Sequence, residues 1–168
     1  MSEAGTLDRD AFIIRFGGVF EHSRWIAERA FDAGLPAWPL TAEGLHQRMA
    51  AALRAGTEAQ QRALIQAHPD LAGRLAQAGR LTAESAKEQA SAGLDLLTDA
   101  ERAHFTELNE AYKTKFGLPF VLAVKGRTKA EILAAFERRL ANDAEAEFAT
   151  ALAEIEKIAL LRLKELLP

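Results

Sequence analysis

Three helix-start signals in the second half of the chain constrain its fold more than any other feature of the sequence. Each is a capping residue that stands three positions before a glutamate, in the pairs Thr98–Glu101, Thr128–Glu131 and Asn142–Glu145. In such a pair each side chain accepts a hydrogen bond from the other residue's backbone N–H, which satisfies amides that a helix start would leave unpaired. The pairs predict helices over about 99–116, 129–141 and 143–167.

Apolar residues also recur at helical spacing through the first half of the chain, where glycine, proline and threonine interrupt them. These interruptions predict helices over about 8–15, 23–33, 42–55, 58–67 and 83–92, with a shorter helical piece over about 71–77. Thr41, Thr57 and Thr82 stand at three of the predicted starts, where a hydroxyl can accept from an amide of the first turn.

One segment does not fit this helical pattern. Residues 117–126 begin and end with glycine and contain Pro119 within a run of apolar side chains. A helix does not continue through such a run, so it predicts a buried, extended segment. Because no partner strand is visible elsewhere, we predict an all-α, single-domain bundle of about seven to nine helices over residues 1–168. Its one irregular extended segment lies near 117–126.

The composition excludes several classes of function. The chain has no cysteine, so disulfides, thiolate nucleophiles and cysteine-bound metals are excluded. Its formal net charge is −3 and its basic residues are scattered, so we expect no nucleic-acid partner. No apolar run has the length of a membrane span and the first residues lack a signal-peptide pattern. We therefore expect no membrane partner and a cytoplasmic location.

The residues with the clearest chemical potential lie between His68 and Gly93. His68 precedes Pro69, which disfavours helical backbone at the histidine and predicts that a helix ends there. An imidazole suits proton transfer near neutral pH. Ser85, Glu88 and Gln89 follow at helical spacing, which predicts that a hydroxyl, a carboxylate and an amide share one helix face. The alternative interpretation is a face that simply contacts solvent.

Arg162 interrupts an apolar stripe in the last predicted helix. The stripe has alternating steps of four and three, at Phe148, Leu152, Ile155, Ala159, Arg162 and Leu166. A guanidinium in such a stripe needs an anionic partner, because an unpaired buried charge is unfavourable. The partner is either a carboxylate of this chain or the carboxylate of a substrate, which a planar guanidinium binds with two hydrogen bonds.

Residues Phe120–Val124 in the extended segment raise a similar question. Buried backbone outside regular structure needs hydrogen-bond partners. A ligand with amide and carbonyl edges could supply them, and so could neighbouring side chains.

A metal site is the weaker alternative. Glu43 and His46, and again Glu101 and His104, have the Glu-x-x-His spacing of di-iron bundles. Both pairs fall in first turns of predicted helices, and Glu101 already belongs to a capping pair. We therefore predict no metal ligands.

Several stretches together resemble one enzyme family. They are FGGVFEHS (16–23), AHPDLAG (67–73), SAKEQ (85–89), AGL (92–94), LNEAYKTKFGLPF (108–120), VKGRT (124–128) and IALLRL (158–163). In this order they are similar to the 2-oxo-4-hydroxy-4-carboxy-5-ureidoimidazoline (OHCU) decarboxylases, which follow urate oxidation and form (S)-allantoin. The resemblance covers nearly the whole chain.

The resemblance implies an all-α, homodimeric carboxy-lyase of purine catabolism that needs no cofactor. Its partner would be a small molecule, the ureidoimidazoline carboxylate. By resemblance, His68 is the catalytic proton donor and Glu88 its acidic partner. The implied substrate-binding residues are Pro69, Ser85, Gln89, Phe120, Val121, Leu122, Ala123, Val124 and Arg162. The competing class is a non-enzymatic helical interaction module.

Overall fold

The computed structural model describes residues 6–168, apart from the side chain of Leu75. Nine helices form over these residues: α1 (Arg9–Phe16), α2 (Trp25–Ala33), α3 (Ala42–Arg54), α4 (Glu58–Ala67), α5 (Arg74–Gln77), α6 (Ala83–Ser91), α7 (Asp99–Phe116), α8 (Lys129–Leu140) and α9 (Ala144–Leu166). Residues 6–168 contain no strand, so the all-α prediction is confirmed. None of the helices over this range is long and apolar enough to cross a membrane.

The helix starts follow the local signals closely. Thr98 and Thr128 form complete capping boxes with their glutamates, and Thr41 and Thr82 accept from Gly44 and Ser85 amides. At α4 the Thr57 hydroxyl accepts from the Gln60 amide at 3.1 Å. The Gln60 side chain accepts from the Thr57 amide at 3.0 Å. These starts are therefore set by neighbouring residues alone.

The predicted start of α9 needs a correction. The side chain that caps this helix is Asp143, whose Oδ1 accepts from the Ala146 amide at 2.7 Å. Asn142 instead donates its Nδ2 to Glu147 Oε2 at 2.9 Å. Two adjacent residues can each cap a helix, and the second one does so here because the first binds a buried carboxylate.

The chain divides into two compact units. The first contains the chain up to Ala67 together with Ile155–Pro168. In it α1 packs against α2 and α2 against α3. Its interior includes Phe12, Phe16, Phe20, Ile26, Leu45, Met49 and Leu53, all nearly inaccessible to solvent.

The second unit, His68–Glu154, is built around aromatic side chains. Phe120 stacks on Phe136 with ring centroids 3.7 Å apart, and it meets Tyr112 edge to face at 5.3 Å. Phe120 thus anchors the segment between α7 and α8, which is non-helical and mostly buried from Leu118 to Val124. The prediction of a buried break in the helical pattern is therefore confirmed.

Candidate active site

His68 lies at the first position after α4, on a loop of residues 68–73 that we call the His68 loop. The helix ends at Ala67, as Pro69 predicted. Only 7% of the His68 surface is exposed to solvent, and Pro69 is half-buried. The predicted helical piece over 71–77 is wrong for its first three residues, because α5 begins at Arg74 and Ala72 has a positive φ of 52°.

Helix α6 holds the His68 loop through Gln89. The Gln89 Oε1 accepts from the Ala72 amide at 2.9 Å, and its Nε2 donates to the Asp70 carbonyl at 3.2 Å. Ser85 and Gln89 are both buried, and Glu88 between them is half-buried. A face open to solvent is therefore the wrong interpretation for Ser85 and Gln89, whereas the predicted common face is confirmed.

Helix α7 holds the same loop from two positions one turn apart. Asn109, which is buried, donates its Nδ2 to the Leu71 carbonyl at 2.9 Å. Lys113 forms an ion pair with Asp70. Neither Asn109 nor Lys113 is among the predicted site residues. The available signal was Asn109 itself, because it falls among the apolar positions that α7 buries.

Side chains of the second unit satisfy part of the extended segment. The Val121 carbonyl accepts from Arg139 Nη1 at 2.6 Å. The Ala123 amide donates to Glu154 Oε1 at 3.3 Å, and the Ala123 carbonyl accepts from Arg127 Nε at 3.0 Å. Neighbouring side chains are thus the partners at these two residues, which leaves the ligand interpretation of the segment as a prediction.

A buried polar network supports this segment from α7, α8 and α9. Arg139 Nε donates to Glu147 Oε1 at 2.8 Å, and both side chains are almost fully buried. The Tyr112 hydroxyl donates to the same oxygen at 2.6 Å. Burial raises the pKa of Tyr112 well above its usual range, and the hydrogen bond to Glu147 raises it further. The neutral phenol is therefore a hydrogen-bond donor to Glu147.

Arg162 lies in the first unit. The stripe it interrupts is buried from Leu152 to Arg162, whereas Leu166 is exposed. Its Nη1 donates to Glu21 Oε1 and to the Val19 carbonyl, each at 3.2 Å. Both charged side chains are buried. A carboxylate of this chain is therefore one partner of Arg162, and a substrate carboxylate stays a prediction.

The two Glu-x-x-His pairs have other partners. His46 Nε2 is 2.8 Å from the Glu156 carbonyl oxygen, and Glu101 closes its capping box and binds Lys129 at 2.9 Å. Among residues 6–168, leaving out the side chain of Leu75, no three His, Asp or Glu side chains come together as a metal site. The geometry gives no support to a di-iron bundle.

The fold and the His68 loop define a class: all-helical proteins with a buried histidine on a loop that a polar helix face binds. Comparison with known proteins defines the family. The family model described as OHCU decarboxylase matches residues 5–164. The chain belongs to the OHCU decarboxylase family.

Two relatives and one solved structure illustrate the similarity. An OHCU decarboxylase of Haloferax volcanii is 40% identical over 98% of this chain and 94% of its own length. A uric acid degradation bifunctional protein of Bacillus sp. strain TB-90 is 40% identical over 99% of this chain. The chain spans only 32% of that bifunctional protein. A crystal structure of (S)-allantoin synthase has a TM-score of 0.75 and 33% identity, over 96% of this chain and 51% of that one.

Proposed function

We propose that this chain decarboxylates OHCU to (S)-allantoin in urate degradation without a cofactor. Membership of the OHCU decarboxylase family supports the reaction. One observation supports the site: buried His68 lies on a loop that the helix carrying Ser85, Glu88 and Gln89 binds directly. A titratable group and polar side chains are thereby held in one small region.

The reaction requires the protein to bind its substrate and to donate a proton to it. When the carbon–carbon bond to the carboxylate breaks, carbon dioxide leaves. The electron pair of that bond stays with the substrate and passes into its conjugated ring. His68 then donates one proton to one face of the same carbon, with Glu88 as its acidic partner. General acid catalysis of this kind contributes roughly 10²–10⁴-fold. Delivery to one face gives the product a single handedness.

The remaining predicted residues bind and orient the substrate. The Gln89 side chain donates one hydrogen bond to the His68 loop and accepts one from it. Its amide has a second N–H and a second lone pair, which are available to a ligand. Ser85 adds a hydroxyl, and Pro69 forms part of the pocket wall. The backbone of Phe120–Val124 supplies amides, other than the Ala123 amide that binds Glu154, near which negative charge is stabilised. Arg162 binds the carboxylate with its planar guanidinium.

We also propose the organisation of the enzyme. Residues 1–168 function as one decarboxylase domain, two chains form a homodimer, and the protein is located in the cytoplasm. The homodimer follows from the family resemblance, and the single domain and the location follow from the sequence patterns. Each can be tested independently of the reaction.

The reaction is tested by circular dichroism of freshly oxidised urate. Addition of the protein should accelerate the appearance of the (S)-allantoin signal, whereas a helical interaction module would leave the rate unchanged. His68→Ala should lower turnover by about 10²–10⁴-fold, because it removes the proton donor. His104→Ala is the matched control, since His104 is exposed on α7. Near-normal turnover of His68→Ala would remove His68 from the mechanism.

A further inference from the structure

Helix α7 contacts the His68 loop through the Lys113–Asp70 ion pair and through Asn109, and the Asn109 contact has no role in the reaction proposed above. In this contact, which we call the tether, the Asn109 Nδ2 donates to the carbonyl of Leu71 at 2.9 Å. Leu71 is three residues from His68, and Asn109 is 3% exposed to solvent. A buried amide therefore binds the backbone of the loop that carries the proposed proton donor.

The loop has a conformation that needs external support. Ala72 has a φ of 52°, in the left-handed region that residues other than glycine rarely adopt. Such backbone persists where its surroundings hold it. Gln89 binds the Asp70 carbonyl and the Ala72 amide, and Asn109 binds the Leu71 carbonyl between them. Three consecutive residues are thus held from two helices.

The Oδ1 atom of Asn109 indicates that the side chain is present to form this tether. In the described part of the chain, the buried Oδ1 of Asn109 has no hydrogen-bond partner. Burying an amide oxygen without a partner is unfavourable. A carbonyl only accepts, so the amide must turn its Nδ2 toward Leu71 and leave Oδ1 unsatisfied. The side chain thus keeps an unfavourable group buried in order to bind the loop.

We propose that Asn109 is a positioning residue of the decarboxylase, which fixes the backbone of the His68 loop and thereby the place from which His68 delivers its proton. This inference rests on the proposed function of His68. A displacement of about 1 Å at a reacting group can lower a rate by roughly 10²-fold. The effect should therefore fall on kcat, because Asn109 is not assigned to substrate binding.

The test variant is Asn109→Leu, which keeps the side chain branched at Cγ with the same number of heavy atoms and removes both the tether and the unsatisfied oxygen. We expect kcat to fall about 10- to 100-fold, with KM nearly unchanged and the fold retained. Asn142→Ala is the matched control, because it also loses an Nδ2 hydrogen bond of 2.9 Å, but to Glu147. Its kcat should stay near that of the unmodified protein. If Asn109→Leu does not fold, Asn109→Asp keeps the shape and turns an acceptor toward the Leu71 carbonyl.

A second measurement does not depend on catalysis. The chain has four histidines, so histidine labelled with ¹³C gives four imidazole signals, and His68→Gln identifies that of His68. In the Asn109 variant the His68 signal should move, while those of His22, His46 and His104 stay in place. An unmoved His68 signal or an unchanged kcat would overturn the inference. A moved signal in a protein that does not act on OHCU would support the tether and refute the proposed function instead.

Discussion

At the scale of single residues, two pairs of oppositely charged side chains are buried together. Glu147 with Arg139 in the second unit, and Glu21 with Arg162 in the first, are both almost fully buried. Removing one member of such a pair is strongly destabilising, by about 3–5 kcal/mol, because an uncompensated charge stays behind. Arg139 also donates a hydrogen bond to the Val121 carbonyl. The same side chain therefore contributes both to the stability of the fold and to the position of the extended segment.

Tyr112 gives a test of the network around Glu147. It is the single tyrosine of the chain, and burial, followed by its hydrogen bond to Glu147, raises its pKa. The folded protein should therefore show no tyrosinate absorbance at 295 nm near pH 10, where an unfolded tyrosine titrates. Because only the unfolded state releases this proton, the stabilising contribution is complete below about pH 10 and decreases above it.

The matched variant for this titration is Tyr112→Phe. It should remove the Tyr112 contribution to the pH dependence of urea unfolding above about pH 10, because no phenol remains to titrate. A tyrosinate signal with a midpoint near pH 10 in the folded protein would contradict the buried hydrogen bond to Glu147.

At the scale of elements, helix starts depend on one or two side chains each. The boxes at Thr98 and Thr128 involve only residues within one turn. The start of α9 is different, since Asn142 is engaged by Glu147 and the capping position passes to Asp143. The contact of Asn142 with Glu147 therefore moves the capping position of α9 by one residue, from Asn142 to Asp143.

The start of α9 leads to a prediction about stability. Asp143→Ala should lower the free energy of unfolding by about 1 kcal/mol, because it removes the cap from the Ala146 amide. Glu145→Ala should lower it by only a few tenths of a kcal/mol, as is usual for exposed residues. Urea denaturation of both variants measures the difference. A larger effect at Glu145 would restore the capping box that the sequence alone predicted.

At the scale of the whole molecule, the family match extends over residues 5–164 and so includes both compact units. His68, α6 and the extended segment belong to the second unit, and Arg162 belongs to the first.

The proposed homodimer also belongs to this scale. In sedimentation equilibrium the protein should have about twice the chain mass of 18.3 kDa at the concentrations used for the activity assay. A mass of one chain throughout that range would refute the dimer without bearing on the reaction.

Most of the helical architecture was predictable, because its signals are local. Pro69 ends α4 after Ala67 through the steric restriction on the residue before it, and Thr98 starts α7 through its own hydroxyl. Gly117 takes the left-handed conformation that ends α7, at a φ of 67°. In each case the interacting groups lie within a few residues, where a single sequence contains the necessary information.

The candidate site was predictable only in part. The common face of Ser85 and Gln89 follows from helical spacing, but the attachment of Gln89 to residues 70 and 72 does not. The contact of Asn109 with Leu71 joins residues 38 positions apart, and no periodic pattern specifies which carbonyl a buried amide will bind.

The sequence by itself determined the all-α class, the breaks around His68 and residues 117–126, and the need of Arg162 for an anion. These properties depend on backbone restrictions, on helix capping and on the unfavourable burial of a charge. Only the tertiary structure decided that Glu21 meets Arg162, that Asp143 caps α9 and that Asn109 holds the His68 loop. Such choices depend on which distant groups packing brings within hydrogen-bond distance, and a local pattern does not contain that information.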